Sequence, residues 1–75
     1  MSNTARIARG RHLCRTGRLH ELRVAADVSH SEIAAEVGVT TACVAGWERG
    51  RWLPRGENAE RLARVLDRLA AELQR

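Results

Sequence analysis

Apolar residues between Ser29 and Gly50 recur at the spacing of two short helices separated by a single glycine. Ser29 can cap the first helix, and Glu32 three residues later completes a capping box with it. The apolar positions that follow lie on one helix face; they are Ile33, Ala34 and Val37. Gly38 then stands where helices commonly end in a left-handed residue, which glycine adopts at least cost. The pattern predicts a helix over about residues 31–37.

A second helix is predicted immediately after this turn. Val39 returns to the core, and Thr40 can cap the helix because its hydroxyl accepts a hydrogen bond from the first turn. Val44 and Trp47 lie at helical spacing, and the pattern stops near Gly50. We expect this helix to cover about residues 41–49.

Helical spacing continues on both sides of this pair. Upstream, Leu19 and Leu22 indicate a helix over about residues 18–26. Downstream, Pro54 interrupts helical structure in residues 50–56, which we expect to form a loop.

A long C-terminal helix is expected over residues 57–74. Its leucines alternate by four, three and four residues, as in a heptad seam; they are Leu62, Leu66, Leu69 and Leu73. No segment has the alternation of a strand. The sequence therefore predicts an all-α fold, a compact four- or five-helix domain over residues 1–75.

Residues 1–16 allow two alternatives, an extra helix or a basic N-terminal arm. A helix capped by Asn3 or Thr4 would run to about Cys14 and bury Ile7, Leu13 and Cys14. Gly10 would weaken that helix by about 1 kcal/mol relative to alanine. The arm is suggested by a run of basic residues without an acid, namely Arg6, Arg9, Arg11 and Arg15. We favour the helix, with a frayed start.

Charge favours an anionic partner, nucleic acid first. The chain has 13 basic residues, all of them arginine, against nine acidic residues, for a formal net charge of +4. The helix pair itself is not basic, because its only charged residues before Trp47 are Glu32 and Glu36. Attraction to a polyanion must therefore come from the flanking segments.

Composition gives no sign of catalytic or metal chemistry. His12, His20 and His30 do not have metal-ligand spacing, and we find no phosphate-binding glycine loop or nucleophile–base pair. We therefore expect no enzyme activity, no metal, no cofactor and no small-molecule ligand. Cys14 and Cys43 are expected to be reduced thiols. Without a membrane-spanning run or a secretory segment, we expect a cytoplasmic, nucleoid-associated protein, or one in the host cytoplasm if a phage encodes it.

The helix pair resembles the helix-turn-helix family of phage repressors, Cro proteins and related bacterial regulators. The resemblance covers roughly residues 19–66. It depends on a small residue between the helices, a turn glycine, a branched core residue, a closing W-E-x-G run and a following proline. These are Ala34, Gly38, Val44, Trp47-Glu48-Arg49-Gly50 and Pro54.

The resemblance implies that the second helix lies in the major groove of duplex DNA and reads bases. By position, the base-reading residues would be Thr41, Ala42, Ala45 and Gly46. Because these side chains are short, specificity is expected to depend also on DNA shape and on arginines outside the helix. The phosphate-binding residues would be His30, Ser31, Thr40, Arg49, Arg51 and Arg55. Trp47 and Glu48 match internal positions of the family, whereas Trp52 could cover the core edge, contact DNA or contact a subunit.

The sequence thus indicates a sequence-specific transcriptional regulator similar to Cro or a short repressor. We expect a homodimer that pairs through Leu69 and Leu73, unless Ile7 and Leu13 fold back over these leucines. One alternative is an excisionase-like architectural factor that bends DNA. Another is an antitoxin-type protein-interaction module whose C-terminal helix blocks a toxin.

Overall fold

The computed structural model describes residues 2–75, and their regular structure is entirely helical. The helices are α1 (Asn3–Arg15), α2 (Arg18–Ala25), α3 (His30–Val37), α4 (Thr41–Arg49) and α5 (Gly56–Leu73). This confirms the predicted all-α class with five helices. Met1, which belongs to the predicted N-terminal segment, lies outside the described residues.

The N-terminal segment adopts the helical alternative. Its cap is Ser2 and not Asn3 or Thr4, because the Ser2 hydroxyl accepts a hydrogen bond from the Ala5 N–H at 3.2 Å. Leu13 and Cys14 are buried near the end of α1.

Gly10 is the point where α1 meets α5. A β-carbon placed on Gly10 would lie 2.8 Å from the carbonyl carbon of Ala59 and still closer to its oxygen. Gly10 therefore permits a backbone approach that any other residue would prevent. From the sequence, Gly10 was expected only to reduce the stability of α1. The packing of α1 on α5 shows why glycine is required at this position.

The core lies where all five helices meet. Its most deeply enclosed side chains have less than 2% of their surface exposed; they are Leu19, Ile33, Val37, Val44, Pro54, Leu62 and Leu66. Trp47 is also buried, as expected. Leu, Val and Ile thus form the interior of a domain with little aromatic content.

The leucine seam of α5 divides into an internal and an external part. Leu62 and Leu66 are fully buried in the domain. Leu69 is half-buried and packs against the core, in a groove that Val28 and Ile33 also line. Leu73 is 43% exposed. The N-terminal helix therefore does not fold over Leu73.

Both cysteines are free thiols. Burial raises the pKa of the Cys14 thiol to about 11. Cys14 therefore stays protonated near neutral pH and behaves as a small apolar core residue.

Candidate nucleic-acid interface

The start of α3 is fixed by a reciprocal pair of hydrogen bonds. The Glu32 N–H donates to Ser29 Oγ at 3.1 Å, and the Ser29 N–H donates to Glu32 Oε1 at 3.0 Å. This is the predicted capping box. The bond from the Ser29 backbone, followed by the Ser29 hydroxyl, lowers the pKa of the Glu32 carboxyl.

A tight turn then sets α4 across α3. Gly38 has a φ of 87°, and the Val39 N–H donates to the Ala34 carbonyl oxygen at 3.0 Å. Thr40 caps α4, because its hydroxyl oxygen accepts from the Cys43 N–H at 3.2 Å. Ala34 is buried. The turn and both caps appear where the sequence predicts them.

This turn brings the N-terminal ends of α3 and α4 together. Ser31 Oγ and Thr41 Oγ1 lie 3.2 Å apart and share a hydrogen bond. Ser31, Thr40 and Thr41 are all exposed. Two residues predicted to bind phosphate therefore share a surface with one predicted to read bases.

Glu48 connects α4 to the helices behind it. Its side chain is only 10% exposed and accepts hydrogen bonds from Arg23 Nε at 2.8 Å and Arg23 Nη2 at 2.9 Å. Arg23 Nη1 also donates to the Val28 carbonyl oxygen at 3.1 Å. The hydrogen bonds from Arg23 are the largest cause that lowers the pKa of Glu48 to about 2. The resemblance implied an internal role for Glu48, either pairing with a nearby arginine or capping the loop, and the structure shows the pairing, with Arg23.

Two histidines complete this cluster, which the sequence did not predict. His20 Nδ1 donates to Glu48 Oε1 at 2.5 Å, and His30 Nε2 donates to Glu48 Oε2 at 3.1 Å. The His30 ring is thus engaged inside the protein. The part of His30 that remains for a phosphate is its backbone N–H, at the start of α3.

Three arginines at and after the end of α4 differ from most of the other arginines of the chain. Each of Arg6, Arg9, Arg23, Arg61, Arg64 and Arg68 lies within salt-bridge distance of a carboxylate. In the part of the chain that the structure describes, no carboxylate pairs with Arg49, Arg51 or Arg55. All three are exposed. Their charge is therefore not neutralised by the protein.

Comparison with known proteins agrees with this geometry. A family model described as a helix-turn-helix domain matches residues 16–75. The chain belongs to the helix-turn-helix domain family. No curated protein and no solved structure gives a significant match. The family consists of DNA-binding domains and not of enzymes, and the match does not distinguish the phage repressor and Cro type from other helix-turn-helix domains. α1 precedes the matched residues.

In helix-turn-helix domains the second helix of the motif is the one that enters the major groove, and α3 and α4 form such a pair joined by a glycine turn. Thr41 and Ala42 are exposed on α4, and Ala45 is half-buried. Gly46 differs, because it is buried under the ring of Trp52. The prediction that Gly46 reads bases is therefore corrected: its surface is occupied by the protein itself.

The structure adds one basic residue that sequence reasoning placed only in a basic segment. Arg15, at the end of α1, lines the same recess as Arg49, Gly50 and Leu53. Sequence reasoning could not place Arg15 here, because α1 and α4 are far apart in sequence and their relative orientation depends on how the domain packs. Only the packed domain shows that Arg15 lies beside Arg49, the last residue of α4.

Residues 2–75 contain no cluster of three histidine, cysteine or acidic side chains that could hold a metal ion. Over the same residues, no helix is both long enough and apolar enough to cross a membrane.

Proposed function

We propose that the protein binds duplex DNA sequence-specifically and acts as a transcriptional regulator, similar to Cro or a short repressor. The observation that carries the proposal is a group of exposed arginines at and after the end of α4 that pair with no carboxylate in residues 2–75: Arg49, Arg51 and Arg55. Such a group attracts a phosphate backbone, and releasing counterions from that backbone contributes strongly to affinity.

Base recognition would use the exposed face of α4. The Thr41 hydroxyl can bond one base edge, or its methyl can contact a thymine methyl. Ala42 and Ala45 permit close approach and contact with methyl groups. Because these contacts are few, sequence-dependent DNA shape contributes to the choice of site.

Phosphate binding would hold α4 in its groove. The candidates at the helix starts are Ser31, Thr40 and the backbone N–H of His30, where N–H groups point towards an anion. Arg49, Arg51 and Arg55 would bind the backbone at and beyond the end of α4, and Arg15 lines the same recess as Arg49.

Dimerisation would place two α4 helices in successive major-groove turns. Leu73, with 43% of its surface exposed, would form the centre of the contact between two α5 helices. Leu69 would contribute its exposed part, since the rest packs within its own domain.

The test is selection of duplexes from a random pool, followed by measurement of the mass of the protein–DNA complex. An enriched palindromic site that binds two chains supports the regulator. An enriched site that is strongly bent on binding favours the architectural alternative. A pool that is bound but shows no enrichment, at a salt concentration high enough to suppress sequence-independent phosphate contacts, contradicts sequence-specific binding.

A further inference from the structure

The chain reverses direction at the end of α4. Gly50 has a φ of 75°, and the Arg51 N–H donates to the Gly46 carbonyl oxygen at 3.0 Å. This bond spans six residues and is the mark of a left-handed helix end. The reversal carries Trp52 back along the side of α4.

Trp52 then packs directly on Gly46. A β-carbon placed on Gly46 would lie 2.8 Å from Trp52 Nε1 and still closer to two carbons of the ring. Position 46 can therefore have no side chain while Trp52 is in place. Leu53 and Pro54 follow it, with Leu53 packed against the core and Pro54 buried, so the segment after Trp52 is anchored in the domain.

The seated ring is nevertheless 48% exposed. Gly46 lies one helical turn after Ala42, so Trp52 extends the same exposed face of α4. Tryptophan is enriched at binding interfaces, because its ring combines a large apolar surface with an N–H donor. The unneutralised charges of Arg49, Arg51 and Arg55, which lie within three residues of Trp52 along the chain, fit a polyanion and not an apolar protein partner.

We propose that Trp52, seated on Gly46, is a DNA-contacting residue of this domain. It supplies the large side chain that α4 itself lacks at this position. The exposed part of the indole would make van der Waals contact with a deoxyribose and with the methyl-bearing edge of a thymine in the major groove. The inference depends on the proposed function, because it requires that α4 enters the groove.

The first experiment measures the access of a neutral quencher, acrylamide, to tryptophan fluorescence. The chain has two tryptophans, and Trp47 is buried, so the readily quenched emission comes from Trp52. Saturation with a duplex carrying the selected site should reduce the quenching of Trp52 fluorescence by acrylamide. The variant Trp52→Phe is the control that assigns the readily quenched emission to Trp52, because that emission should be absent from the variant. Unchanged quenching in the saturated complex overturns the inference.

The second experiment measures affinity and thermal stability for a set of variants. Trp52→Ala should weaken binding to the selected duplex about tenfold, as loss of an aromatic anchor does elsewhere, while Trp52→Phe should retain most of the affinity. Gly46→Ala should displace the ring and resemble Trp52→Ala. The double variant Gly46→Ala/Trp52→Ala should then bind no more weakly than Trp52→Ala alone.

The outcomes separate this inference from the proposed function. If the unchanged protein binds no duplex, both are wrong. If it binds while Trp52→Ala retains full affinity, only the role of Trp52 is wrong. Additive losses for Gly46→Ala and Trp52→Ala would show that the two residues act separately, which contradicts the seated ring.

Discussion

Replacing Gly10 by alanine is expected to destabilise the protein, although alanine is the better helix former. In an exposed helix the change would stabilise by about 1 kcal/mol. Here the added β-carbon would lie 2.8 Å from the carbonyl carbon of Ala59 and closer to its oxygen. Overpacking of this kind typically costs about 1–3 kcal/mol.

The upper end of that range applies because the obstacle is backbone. A side chain could rotate away from the new methyl group, whereas Ala59 can move only with α5 or if α1 shifts. A shift of α1 would in turn loosen Leu13 and Cys14, which are buried nearby. We therefore expect a net loss of about 2 kcal/mol, which lowers the melting temperature of a domain of this size by about 8–16 °C.

The assay is thermal and urea unfolding followed by circular dichroism. A matched control is Ala8→Gly, two residues away on the same helix but exposed; it should cost about 1 kcal/mol from helix propensity alone. If Gly10→Ala proves more stable than the unchanged protein, the close crossing of α1 and α5 at Gly10 is wrong.

Four further predictions concern charge, base reading, assembly and pH. Arg51→Ala should weaken binding to all duplexes alike and reduce the slope of log affinity against log salt by about one; a changed base preference with an intact slope would argue against a phosphate contact. Thr41→Ala should cost about 1–3 kcal/mol on the selected site and relax the preference at one base pair, whereas equal losses on random DNA would speak against direct reading. Leu73→Glu should leave a folded monomer in sedimentation and lose affinity mainly for a two-half-site duplex; a variant that remains dimeric would place the interface elsewhere. The pKa of Glu48, lowered to about 2 chiefly by hydrogen bonds from Arg23, should give stability that is present above about pH 4.5 and lost as pH falls towards 2. This pH-dependent part of the free energy of unfolding amounts to at most about 3 kcal/mol, and Glu48→Gln should remove most of it. If the free energy of unfolding depends on pH equally in Glu48→Gln and in the unchanged protein, the role assigned to Glu48 is wrong.

The sequence alone determined the elements whose causes are local. The capping box of Ser29 and Glu32, the left-handed turn at Gly38 and the Thr40 cap each depend on groups within five residues of one another. Their hydrogen bonds form whenever the helix forms, so residue type and spacing suffice to predict them. The same holds for the end of α4 at Gly50.

Only the tertiary structure determined which surfaces of the helices are covered by the rest of the protein and which are exposed. The backbone of Ala59, distant in sequence, lies so close to Gly10 that only glycine fits at this position, although glycine weakens α1 in isolation. The ring of Trp52 covers Gly46, whereas the position of Gly46 on the helix had suggested that it contacts a DNA base. Helix periodicity defines a face of α4, but not what covers it. That depends on where the chain returns after Gly50 and on how α1 and α5 dock, which no pattern of neighbouring residues specifies.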